Sequence, residues 1–227
     1  SDAWLSDPAR KWPVVLDPTI KTEKNTDIED NYVTDGSGTH YDENKSRMLA
    51  GNKDGSDYTA FLRPAIPDSL KDIASHVVIT KASVMLYVED QSGSQDYEFY
   101  AVEETWKSST ITGKNQPKCA SSPFYSGKLS TGKNTVNIKP LVSTWFNSLN
   151  QKENCGLAVK GSGKKGNYIE LASSDQGDAN VAKRVSFSIT YEEIDTKAKT
   201  GLKASAQGNS ANSGTGYVNL SWNSIPG

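Results

Sequence analysis

The chain has 227 residues with 25 basic and 27 acidic side chains, a formal net charge of -2. Charges this balanced give no dense positive patch for a phosphate backbone, so nucleic acid is not an expected partner. Hydrophobic residues make up only 35% of the chain, no apolar run approaches the ~18–20 residues of a membrane span, and large buried areas must come from the 10 Tyr, 5 Trp and 5 Phe.

Residues 1–25 read as a joining strand or the end of a preceding region. Ser1-Asp2-Ala3-Trp4 shows no signal peptide and suggests a cut inside a longer chain. Trp12-Pro13-Val14-Val15-Leu16-Asp17-Pro18 is a short apolar strand closed by prolines, which belong at strand ends and sheet edges.

From 26 to 193 the hydrophobic period is two. Ala82, Val84, Leu86 and Val88 alternate with Ser83, Met85, Tyr87 and Glu89, and Val185, Phe187, Ile189 and Tyr191 alternate with Ser186, Ser188 and Thr190. Such strands belong to antiparallel sheets with one wet face. Shorter runs at Thr59–Leu62, Tyr97–Val102, Thr135–Ile138, Gly156–Lys160 and Tyr168–Ala172 agree. Asp90–Gln95, Lys128–Asn134 and Gly161–Asn167 read as loops, being rich in Gly, Ser, Asn and Lys. One segment breaks the period. Pro140 opens a run with Leu141, Val142, Trp145, Phe146 and Leu149 at helical spacing, predicting a helix of two to three turns at one end of the sheets. Residues 194–216 have linker composition. Residues 217–227 contain an alternating strand, Tyr217 to Trp222, which opens a further domain or adds to the sheet, since a lone strand cannot bury its apolar face. The expected fold is therefore an all-β antiparallel sandwich with one short helix.

Several motifs occur in a recognisable order. Asp30-Asn31-Tyr32-Val33 is followed by Phe61-Leu62-Arg63 with Pro67 and Leu70, then by Lys81 to Tyr87. Next come Val102 to Trp106, Thr110-Ile111-Thr112 and Asn115-Gln116-Pro117. Val136-Asn137-Ile138, Leu141-Val142, Trp145, Asn154 and Gly156-Leu157 lead to Ser173-Ser174-Asp175 and Phe187 to Tyr191. Over about 165 residues this resembles the DNRLRE-type modules, a jelly-roll family grouped with carbohydrate-binding modules. Pro64-Ala65 and Gly113 depart from the usual Phe-Asp and Trp. The flanks are similar to segments of RHS/YD-repeat wall-associated proteins of Gram-positive bacteria, with residues 217–227 similar to the start of a fibronectin type III domain. The resemblance implies a jelly-roll module of a large exported, cell-wall-attached surface protein. It would be secreted, monomeric, flanked by other domains of its own chain, and a binder of polysaccharide or peptidoglycan.

Catalysis is not expected, because His40 and His76 lie in no nucleophile–base motif. Cys119 and Cys155 lack zinc-site spacing and are either one disulfide or two small buried residues. Asp27, Glu29, Asp30 and Asp35, with Asp42 and Glu43 nearby, supply hard oxygen ligands of the kind Ca²⁺ takes. Asp30 and Asp27 are the candidate ligands, with plain solvated loop acids as the alternative. Sugar rings stack their C–H faces on exposed aromatics. Tyr125, Phe124, Tyr58 and Tyr168 are the candidate contacts, with Tyr41 also beside a loop and Tyr125 first because its turn-rich segment has little other use for a ring. Lys164-Lys165 beside Tyr168 suits an anionic glycan, whereas Trp12, Trp106 and Trp145 read as core. The rival expectation is an inert spacer presenting a distal effector, stiffened by an isopeptide bond at Lys81 or Lys139.

Overall fold

Burial follows the alternation. In β5 (Val77–Ser92), Ala82, Val84, Leu86 and Val88 are buried while Ser83, Met85, Tyr87 and Glu89 are half-exposed. In β11 (Ser186–Glu193), Phe187 and Ile189 are buried between half-exposed Ser186, Ser188 and Thr190. The computed structural model describes residues 18–22, 24–41, 46–147 and 151–193, and the backbone of 203–207 and 217–221. The remaining strands of the larger unit are β1 (Thr19–Lys21), β2 (Ile28–Thr34), β3 (Arg47–Lys53), β4 (Ser56–Pro64), β6 (Asp96–Ala101), β7 (Tyr125–Lys128), β8 (Gly132–Asn137), β9 (Leu157–Gly161) and β10 (Tyr168–Ala172).

These strands form a sheet in the order β1-β11-β5-β10-β3-β4-β9-β6-β7, with β2 added on β4 and β8 on β5. It curls on itself into a jelly-roll-like antiparallel sandwich, as the sequence predicts. The β3–β4 hairpin is where the curl turns. Near its tip Gly51 faces Tyr58 and Asn52 faces Asp57. Beyond the tip β3 continues against β10, while β4 pairs with β2 on one side and with β9 on the other. Gly156, at φ 82°, precedes β9, and a side chain there would strike the Leu62 carbonyl of β4.

Two apolar cores result. The main one holds Met48, Leu62, Leu86, Phe99, Leu157, Leu171 and Phe187, all almost fully buried. A smaller one gathers Val33, Phe61 and Ala158 beneath Val102, Trp106, Ile111 and Cys155. Trp106 lies 5.7 Å from the Phe61 ring, and its Nε1 donates to the Cys155 carbonyl at 2.9 Å. Helix α1 (Asp68–Lys71) buries Leu70, and α2 (Lys139–Trp145) buries Leu141, Val142 and Trp145. Helix α2 starts with Pro140 in its first turn, as expected, but ends before Phe146, whose φ of -121° leaves the helical region while its ring stays buried.

Pairing overrides local composition at several seams. Asp90 and Gln91, expected in a loop, continue β5 because β10 pairs with them through Glu170 and Ile169. Gly132 to Asn134, also expected in a loop, begins β8 against Leu86–Val88. Tyr125 opens β7, opposite Phe99, instead of lying in a turn. The two cysteines are free thiols. Val102 pairs with Cys119 on one side and donates to the Gly156 carbonyl on the other at 3.2 Å. Two strand spacings, ~9–10 Å, separate the flanking chains, beyond the ~7 Å Cα limit for a disulfide.

A second compact unit spans Glu193–Gly227. Within it β12 (Lys203–Gln207) and β13 (Tyr217–Ser221) pair antiparallel, Lys203 opposite Ser221. The expected linker of residues 194–216 therefore contributes a strand, and the strand at Tyr217 finds its partner upstream. The expected N-terminal strand, Trp12 to Asp17, lies outside the described residues.

Candidate functional site

The structure divides the four candidate aromatics into two places. Phe124 and Tyr125 both pack on buried Phe99, with ring centroids 6.4 and 5.3 Å away in edge-on geometry. This contact is what the turn-rich segment uses its two rings for. Phe124 also lines a slot of about 370 Å³ between Ala101–Glu103, Leu141 and Trp145.

Tyr58 and Tyr168 lie on the strands to either side of β3. Tyr58 in β4 and Tyr168 in β10 both face Gly51 of the intervening β3, one from each side. Tyr41 joins them through Tyr32: the Tyr32 and Tyr41 rings stack at 4.2 Å and 19°, and Tyr58 lies 6.2 Å from Tyr32. Burial is the main cause that pushes the Tyr32 hydroxyl up to about 12, followed by Tyr41, Tyr58 and Glu170. Tyr41 is further fixed by a 2.6 Å hydrogen bond between its hydroxyl and that of Thr34.

Charged groups tie this tyrosine cluster to the neighbouring strands. Lys53 of β3 donates to Glu170 of β10 at 2.7 Å, and its Nζ lies 4.6 Å from the Tyr168 ring centroid. The Lys53 hydrogen bond is the first cause holding the Glu170 carboxyl below its usual range, and the same bond raises Lys53. Arg47 bridges Glu170 at 3.0 Å and Glu89 at 3.2 Å, and Lys183 bridges Glu89 at 3.2 Å while lying 5.3 Å from the Tyr87 ring. Glu170 and Glu89 thereby link Lys53 over Tyr168 to Lys183 over Tyr87 through Arg47. Tyr32, Tyr87, Lys53, Glu170 and Arg47 were not singled out from the sequence. The signal was the alternation Arg47, Leu49, Gly51, Lys53 in β3, masked because buried Gly51 and Asn52 interrupt the apolar set Met48, Ala50.

The segment carrying Tyr168 is anchored from below. Gln95 is 3% exposed, and its amide donates to the Asn167 carbonyl at 2.7 Å and accepts from the Lys164 amide at 3.3 Å. Asn52 accepts from the Gly166 amide at 3.0 Å and donates to Asp57 at 2.7 Å. Gly51 and Gly161 leave the space that the Gln95 amide occupies: a Cβ would lie 2.8 and 2.5 Å from its nitrogen. Lys164 and Lys165 are exposed on this anchored loop.

Asp30 and Asp27, the residues expected to hold calcium, both accept hydrogen bonds from within the protein. Asp30 is buried, and its two oxygens accept from the Ser174 amide at 2.8 Å and the Ser174 hydroxyl at 2.6 Å. Burial raises its carboxyl from 3.8 to about 6, against the lowering effect of those bonds. Asp27 instead accepts from the Lys24 amide at 3.0 Å. Glu29, in the same 550 Å³ cleft as Asp30, is taken by Arg63 and by the Ser108 amide. Among the described residues no three His, Cys, Asp or Glu side chains converge as a metal cage requires; Asp42 and Glu43 lie outside them. Trp106 and Trp145 are buried, and Lys81 and Lys139 are exposed rather than enclosed as isopeptide partners would be. His40 and His76 are exposed, with His40 Nε2 2.9 Å from the Ser108 carbonyl.

A family model described as carbohydrate-binding module family 96 matches residues 21–187, nearly the whole larger unit. No curated protein matches the chain.

Proposed function

The chain belongs to carbohydrate-binding module family 96, and from that premise we propose that it holds a polysaccharide against Tyr58, Tyr168 and Tyr41, without chemically altering it. The observation that carries this reading is the half-exposed Tyr168 ring beside Lys53, which is paired with Glu170, next to the strand that also pairs with Tyr58. Half-exposed rings offer flat apolar surface for pyranose C–H faces, while Lys53, Glu170 and Arg47 offer donors and acceptors to hydroxyls. Because the charged groups already satisfy one another, they are held in place before a ligand arrives, which reduces the ordering cost of binding. The exposed Lys164-Lys165 loop extends the surface for a glycan that carries carboxylates. The resemblance to DNRLRE modules of RHS/YD-repeat surface proteins supports a wall-attached, exported setting, with peptidoglycan glycan among the ligands to test.

Affinity electrophoresis through gels containing neutral and anionic polysaccharides, with a pull-down on insoluble peptidoglycan, tests the reading. Retardation by at least one glycan is expected, weakened roughly tenfold by Tyr168→Ala, the equivalent of about 1.4 kcal/mol. Tyr125→Ala is expected to lower stability while leaving retention unchanged, since its ring packs on Phe99. Retention lost with Tyr125→Ala and kept with Tyr168→Ala would move the site to β7. No retention by any glycan would leave the spacer role as the better account.

A further inference from the structure

We infer that the larger unit yields to tension in two stages, with β1 peeling from β11 first and alone, because the chain enters and leaves this unit side by side. This holds whether or not a sugar is bound. Strand β1 runs antiparallel to β11, Thr19 opposite Thr190, Ile20 opposite Ile189 and Lys21 opposite Ser188. Just before β1, the Pro18 carbonyl accepts from the Tyr191 amide at 3.1 Å, and the second unit begins at Glu193. Entry and exit are therefore cross-strand neighbours, with Cα atoms ~5 Å apart.

Tension applied from beyond both ends of the unit pulls these neighbours apart across the pairing. The hydrogen bonds are then loaded one after another from that end, each bearing the whole force in turn. A pull along the strands would share the force among all of them. The Pro18–Tyr191 bond is first in line, followed by the exposed pair of Thr19 and Thr190 hydroxyls at 2.9 Å. Little apolar burial opposes the peeling: Ile20 is half-buried, and Thr19 and Lys21 are exposed. Strand β1 also ends the sheet order, with β11 on one side and no further strand on the other among the described residues.

Resistance rises at the far end of the strand. The Thr22 amide donates to the Phe187 carbonyl at 3.1 Å, and its hydroxyl accepts from the Phe187 amide at 2.9 Å. Beyond this point the load falls on β11, which keeps β5 as its other neighbour and carries Phe187 and Ile189, each 2% exposed in the main core. Releasing β11 uncovers that core, so the second stage is the cooperative opening of the unit. The small first stage thus belongs to β1 by itself. Tyr168 lies on β10, which pairs with β3 and β5, so its strand keeps both neighbours while β1 opens.

Optical tweezers holding the two ends of the full chain test this. The parent is expected to lengthen first by on the order of 15 Å, as residues 18–22 come free, at no more than about half the force of the main opening. The main opening then releases roughly 600 Å, while the β12–β13 hairpin, also in line, is recognised by its release of roughly 60 Å. Ile20→Ala is expected to lower the force of the first step and to leave that of the main opening unchanged. Thr19→Cys with Thr190→Cys, in a Cys119→Ser background, places two thiols at opposed positions that suit a disulfide. Once oxidised, as checked by intact mass, this variant carries the load straight from residue 19 to residue 190. Both steps should vanish and return on reduction. A parent without the short first step overturns the inference, as does an Ile20→Ala variant in which both forces fall together. A main opening that persists in the oxidised variant shows that entry and exit are not neighbours, which also overturns it. A melting curve for each variant, matching the parent within a few degrees, separates a changed load path from a lost fold.

Discussion

Asp30 and Gln95 show what individual buried polar groups do in this molecule. The Asp30 carboxyl is raised to about 6 by burial, against 3.8 for an exposed group, so between these values the folded chain holds a proton that the unfolded chain has released. Stability from protonated Asp30 is then fully present below pH ~4 and is lost as pH rises to ~6, a change on the order of 3 kcal/mol. Asp30→Asn, which cannot ionise, is expected to flatten the melting temperature against pH across that interval. A parent profile no steeper than that of the variant would contradict the assigned burial effect. Gln95 gives the opposite kind of test. Its amide nitrogen donates to the Asn167 carbonyl at 2.7 Å in a space closed by two glycines. Gln95→Glu replaces a donor by a carboxylate facing a carbonyl, leaving unsatisfied groups in a buried site. Amide exchange over 161–168 is expected to quicken in this variant near pH 8. Protection should return toward pH 5, where a protonated glutamic acid again donates; loosening unaffected by pH would show that Gln95 only fills space.

At the scale of elements, the seams between strands carry the demands that sequence alone conceals. Gly156 precedes β9 at φ 82°, and any Cβ would press on the Leu62 carbonyl, so Gly156→Ala combines left-handed strain with a backbone collision. A loss of about 2 kcal/mol or more is expected by urea unfolding; a loss below about 0.5 kcal/mol would mean that the β4–β9 seam is looser than described. In β7 the Tyr125 ring rests on Phe99, and truncating Phe99, itself fully buried, is expected to cost about 3–5 kcal/mol through the cavity it leaves. Tyr125→Ala should cost less, because that ring is only half-buried. Helix α2 obeys its local signals at the start, with Pro140 in the first turn. Its end is set by packing, since Phe146 leaves helical geometry to bury its ring.

For the molecule as a whole, the first described strand pairs with the last strand of the larger unit, Ile20 opposite Ile189. Such non-local closure must gather distant segments before any of them is rewarded, so refolding is expected in the millisecond-to-second range by stopped-flow fluorescence; microsecond refolding would contradict the sheet order. How far the chain could be read in advance depended on the scale of the interaction that decided each feature. Alternation in β5 and β11, and Pro140 before an apolar run, are imposed by periods of two and 3.6 residues. These are local, and they determined the all-β class, the short helix and the burial of Trp106 and Trp145. The aromatic composition also announced stacking surface. It did not say what each ring would meet, because Tyr125 packs on Phe99 from another strand, Tyr58 lies beside Tyr32 of β2, and Tyr168 lies under Lys53 of β3. Asp30, promising as an ion ligand by its neighbours in sequence, is turned to Ser174 by the sheet. Sequence determined which residues face inward, since strand period is a property of the backbone. Only the tertiary structure decided which side chains share a surface, because register between distant strands is set by the closure of the whole sheet.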